Sequence, residues 1–129
     1  MSRELEIVEA LFAELMRADC KFFPRPREKM DAPSSQGVYI IYSPQGAVLH
    51  VGRTPRAAGG IRQRLYNHIH ALSSFTNLYL QGHGAKLREG YSFQYLVVEN
   101  VRFRALLEAY AVGHLCPAHI GLGEKNPPP

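Results

Sequence analysis

The sequence predicts an α+β domain: a small three-stranded antiparallel sheet flanked by helices, with an extra helix at the N-terminus. Three observations lead there. Apolar residues recur at helical spacing in three segments, short aromatic and β-branched runs occupy three others, and the order is helix, strand, strand, helix, strand, helix. Two strands joined by a tight turn pair antiparallel, and helices laid on such a sheet give the simplest packed solution. At 129 residues the chain suits one domain with a real core.

The first helix is read over residues 3–18, where Leu5, Val8, Leu11, Phe12 and Leu15 form one apolar stripe. FFPRPREKMDAPSSQ follows, broken by prolines, and reads as a surface linker. Gly37 to Thr54, GVYIIYSPQGAVLHVGRT, reads as two strands around a Pro-Gln-Gly turn. Residues 59–72 place Ile61, Leu65, Ile69 and Leu72 on one helical face. SSFTNLYLQGHGAKLREG is irregular, with room for one short helix or strand. Tyr91 to Glu99 is the third strand, and 102–115 is a helix that stops before Pro117. The organisation expected is an N-terminal helix and linker over 1–31, a domain over 32–120 and a flexible tail over 121–129.

The composition is that of an ordinary globular chain, with no apolar run long enough to span a membrane and acids mixed into the first helix, unlike a signal peptide. Cys20 and Cys116 lie far apart without CxxC spacing, so a reducing, cytoplasmic setting is expected. Net charge is +4, and its distribution says more than its size. Residues 1–31 hold seven acids, whereas Ala32 to Arg88 hold none and include Arg53, Arg56, Arg62, Arg64, Lys86 and Arg88. Such an acid-free basic block suits a phosphate backbone, DNA being the partner expected.

Several residues stand out for chemistry. If Ser43-Pro44-Gln45-Gly46 closes the turn symmetrically, Tyr39 faces His50 directly; a loop of odd length would slip that register. Taken alone, the pair reads first as sheet packing. On the helix 59–72, His68 falls inside the apolar stripe and Arg64 at its edge, a costly place for a guanidinium without an anion. Gly59 and Gly60 open that helix, where free N–H groups favour a phosphate, or serve as loop residues. Glu108 is the lone carboxylate in an apolar helix and suffices for Mg²⁺ when waters and substrate phosphate complete the shell; the alternative is an ion pair with Arg104. His114, Cys116 and His119 offer too few ligands for zinc, and Ser73 and Ser74 lack a nucleophile-elbow context.

Together these residues resemble the GIY-YIG nuclease superfamily over roughly Gly37 to Pro117. GVY stands where the family has GIY and HVG where it has YIG, with Tyr39 and His50 eleven residues apart. IRQRLYNH resembles the motif helix through Arg64 and His68, and LLEAYAVGHLCP resembles the closing helix through Glu108, with Pro117 nine residues later. The chain departs from the family at His50, where a tyrosine is usual, and at Ile120, where an asparagine often follows the glutamate by twelve residues.

The resemblance implies metal-dependent, in-line hydrolysis of a DNA phosphodiester. Tyr39 would act as general base, with Glu108 holding Mg²⁺ or Mn²⁺ and Arg64 clamping the phosphate. His50 and His68 would orient water and phosphate, and Arg53, Arg56 and Arg62 would track the DNA backbone. Two alternatives come from other classes: a nucleic-acid-binding module on the same fold that no longer cuts, and an interaction protein whose N-terminal helix docks a partner or a second copy.

Overall fold

The computed structural model describes residues 2–55 and 58–121. Helix α1, Arg3–Arg17, starts where the Ser2 hydroxyl accepts the Leu5 N–H at 3.0 Å, and Glu4 and Glu6 lie in its first turn. Its apolar stripe buries Val8 and Leu15. The chain then forms a short strand β1, Lys21–Phe22. Strands β2, Gly37–Tyr42, and β3, Val48–Arg53, follow, then helix α2, Gly60–Ile69. One π-helical turn, Phe75–Tyr79, and one 3₁₀ turn, Gly84–Arg88, precede strand β4, Ser92–Val97, and helix α3, Val101–Leu115. The Asn100 side chain caps α3 by accepting the Phe103 N–H at 2.9 Å.

The sheet has four strands in the order β1-β4-β2-β3, every neighbouring pair antiparallel, where three strands were expected. The added strand is only two residues long, at the start of a stretch that its prolines mark as linker, and it exists because β4 offers an open edge. That stretch is also less superficial than expected, for Phe23, Met30 and Ala32 are buried.

Val38 to Ile41 in β2 are shut from solvent, because helices cover both faces of the sheet. On one face Val38, Ile40 and Val51 pack with Leu107 and Ala111 of α3 and Leu15 of α1. On the other, Tyr39, Ile41 and Phe93 pack with Ile61 and Leu65 of α2 and with Phe75. Each such aliphatic or aromatic side chain contributes about 1.5–3 kcal/mol through burial. Leu72, expected on this apolar face, is 67% exposed, since α2 ends at Ile69 and Ala71 turns left-handed. No helix among the described residues is long and apolar enough to cross a membrane. The expected tail lies outside the described residues beyond Gly121, as does Arg56.

The hairpin closes through five residues, not four. Ser43 donates its N–H to Ala47 O at 2.9 Å, the Ser43 hydroxyl accepts from Ala47 N at 3.0 Å, and Gly46 takes the left-handed conformation. The odd loop slips the pairing: Tyr39 stands opposite Gly52 and Ile41 opposite His50, with Leu49 bulged between His50 and Val48. Tyr39 and His50 still share the α2 face, as diagonal neighbours.

Candidate active site

Gly52 explains how a large phenol fits there. A Cβ at this position would lie 2.4 Å from the Tyr39 Oη and 3.1 Å from His50 Nε2. Both polar tips therefore converge over a strand position that has no side chain. The Tyr39 ring is fully buried, its Oη 2.7 Å from His68 Nε2, and His68 is fully buried too. Its sequence position inside the stripe of α2 thus becomes a buried place against the Tyr39 phenol.

Proton counting fixes the His68 tautomer. Thr76 Oγ1–H is donated to the His68 carbonyl, so the 3.1 Å contact between Ser73 and Thr76 uses the Ser73 hydroxyl proton. Ser73 Oγ must then accept from His68 Nδ1–H, 2.7 Å away. That leaves Nε2 with its lone pair, and Tyr39 donates to it. Burial pushes the His68 imidazole well below its ordinary range, with the charges of His50 and Arg64 adding, so the ring is neutral. Burial likewise raises the Tyr39 phenol to about 12, opposed by the Arg64 guanidinium beside it. Ser73, set aside as a nucleophile, is instead the group that orients the histidine.

Arg64 is the hub. Its charge bears on Tyr39, His50, His68 and Glu108, and its buried Nε–H has no hydrogen-bond partner. A buried guanidinium donor left unpaired costs about 1–3 kcal/mol, which an incoming anion would relieve.

Glu108 on α3 lines a cleft of about 350 Å³ together with His50, Val51, Ser74, Val112, Ile120 and Gly121. Burial raises its carboxyl pKa above the usual range, while Arg53 and Arg64 pull it down. Its ion partner is Arg53, at 3.4 Å, not Arg104. Arg104 is buried and donates to the carbonyls of Thr54, Val98 and Glu99 at 3.0, 3.1 and 3.2 Å. Arg53 therefore sits at the Glu108 carboxylate, and Arg62 spends its Nε–H on Ala32 O at 2.7 Å, so neither is simply free for a DNA backbone. The expected phosphate seat at the start of α2 is also filled. Gly60 is left-handed, a Cβ there would lie 2.0 Å from Ser34 O, and the Ile61 and Arg62 N–H groups are donated to Ser35 and Pro33.

One residue of the site escaped the sequence. After α3 the chain lies along β3, Ala118 N–H to Val48 O and His119 N–H to Leu49 O, and this carries buried His119 to within 5.6 Å of the His50 ring. His114 goes elsewhere, stacked with Tyr110, and Cys116 is exposed, so the three residues weighed for zinc are dispersed. Spacing alone linked His119 to a metal trio; only the return of the chain along β3 links it to His50. Burial pushes His50 down to about 3, with His119 and Arg64 adding. Among the described residues no group of three or more His, Cys, Asp or Glu side chains gathers as a ready metal cage. Compared with known proteins, the chain matches no family model and no curated sequence.

Proposed function

We propose that this chain is a metal-dependent DNA endonuclease of GIY-YIG type. The observation that carries the reading is the unpartnered, buried Arg64 Nε–H at the centre of Tyr39, His50, His68 and Glu108. A phosphodiester oxygen satisfies that donor as a charge-assisted acceptor. Its negative charge also offsets the Arg64 cation, which adds to burial in holding both histidines low, making them better proton acceptors.

The phenol then acts as a relay, not as a free phenolate. A water bonded to the Tyr39 Oη gives its proton to that oxygen as the phenol proton passes to His68 Nε2, while Nδ1–H stays on Ser73. His50, which lines the cleft, orients that water. The donor set at Glu108 fits a hard cation: one desolvated carboxylate, loosely paired at 3.4 Å, with waters and phosphate oxygens left to complete the shell. Glu108 would hold Mg²⁺ or Mn²⁺, whose charge offsets that developing on the leaving oxygen.

The test is plasmid nicking with Mg²⁺ or Mn²⁺. Glu108→Ala is expected to abolish cleavage and leave DNA binding within a few fold; nicking at the wild-type rate by this variant sinks the assignment. The Arg53–Glu108 pair favours a second reading, a nucleic-acid-binding module that does not cut. Metal-independent binding without any nicking by the wild-type chain would select it.

A further inference from the structure

Beyond the catalytic cluster, a stack of rings leads from the cleft to the surface. His50 stacks on Phe75 with centroids 4.9 Å apart and planes 16° apart, and Phe75 stacks on Tyr79 at 5.7 Å and 13°. Phe75 is fully buried, whereas Tyr79 is 43% exposed. Tyr79 also forms a wall of a separate pocket of about 400 Å³, shared with Leu80, Gln81, His83, Lys86 and Tyr91. That volume lies within the range of small-ligand clefts, about 300–1,000 Å³. Among the described residues no carboxylate lines this pocket, and Lys86 makes no ion pair.

The pocket is built by the irregular stretch between α2 and β4. Leu80 N–H closes the π-helical turn on Phe75 O, Gly82 N–H bonds Thr76 O, and Gln81 and Gly82 are both left-handed. The chain reverses there and brings the 3₁₀ turn carrying Lys86 against Tyr79. An aromatic face beside an unpaired ammonium is the chemistry that takes a nucleotide: the ring stacks a base and the cation meets its phosphate.

We propose that this pocket receives an unstacked nucleotide of single-stranded DNA close to the cut. The inference rests on the nucleic-acid reading above and adds to it a strand form, single, and a position, two ring-stacking steps from His50. A base held within a duplex cannot stack on Tyr79, so the site selects a frayed, branched or single-stranded substrate.

The probe is a fluorescein-labelled single-stranded oligonucleotide bound in EDTA, followed by anisotropy, beside a blunt duplex of the same sequence. Wild type is expected to prefer the single strand. Tyr79→Ala should weaken single-strand binding by about 5- to 150-fold, the loss that one base–aromatic stack carries, while Tyr79→Phe keeps it. Lys86→Ala should flatten the slope of log affinity against log salt by about 0.7. Because Tyr79 and Lys86 are exposed side chains, both variants retain the fold. Unchanged single-strand affinity in Tyr79→Ala and Lys86→Ala, with wild-type binding and nicking intact, overturns the pocket and leaves the nuclease reading standing. Loss of binding in these variants while Glu108→Ala still cuts at the wild-type rate supports the pocket and removes the GIY-YIG assignment built on Glu108. A wild-type chain that binds neither probe overturns both.

Discussion

Replacing Gly52 by alanine tests the geometry on which the site depends. The new methyl would lie 2.4 Å from the Tyr39 Oη and 2.5 Å from its Cζ, and the ring is fully buried. Forcing that contact costs about 1–3 kcal/mol as overpacking. Displacing the phenol also breaks the 2.7 Å bond to His68, leaving buried polar groups unpaired at about 1–3 kcal/mol. Against this, alanine loses less entropy on folding than glycine, returning about 0.4–1 kcal/mol. The expected net loss is about 1–5 kcal/mol, a fall in Tm on the order of 10 °C for a chain of this size. Urea unfolding measures it, with Gly113→Ala as control: nothing lies within 4 Å of a Cβ there, and a helix gains about 0.5–1 kcal/mol from that exchange. Nicking should fall with the phenol's displacement. If Gly52→Ala unfolds at the wild-type midpoint while Gly113→Ala is stabilised, Tyr39 does not lie over Gly52 and the slipped register is wrong.

Two further outcomes follow from buried charge. His50 and His68 have folded pKa values depressed below the unfolded value of about 6.5, so the unfolded chain binds protons that the native state refuses. Stability from these rings is complete above about pH 6.5 and declines as pH falls, by up to about 1.4 kcal/mol per pH unit for each ring. Urea midpoints that stay flat between pH 7 and pH 5 would contradict two neutral buried histidines. Arg104→Met should cost about 2–5 kcal/mol, because it strips the donors from the carbonyls of Thr54, Val98 and Glu99. A loss under about 1 kcal/mol in the same unfolding assay would mean that solvent replaces those bonds.

Much of this molecule is legible in its residues. The period of Leu5, Val8, Leu11 and Leu15 gives α1, and β-branched and aromatic runs give β2, β3 and β4, because side-chain periodicity is local information. Glu108, solitary in an apolar helix, and Arg64 and His68, out of place on an apolar face, stand out for the same reason. They mark where ordinary burial rules are broken.

What the tertiary structure decided is pairing. One extra residue in the Ser43–Ala47 loop and one bulged residue, Leu49, together set Gly52, not His50, opposite Tyr39, and a two-residue shift keeps every side chain on its own face, so the period of two carries no signal against it. β1 is too short to have a pattern, and exists only because β4 had an unpaired edge to satisfy. His119 reached His50 because backbone groups of β3 bonded the chain leaving α3. Arg104 found carbonyls and Arg53 found Glu108, partners that no spacing announces. Residue types and their periods determined the helices, the strands and the chemistry on offer. Which of those groups touch was decided by hydrogen bonds and packing between residues far apart in the chain.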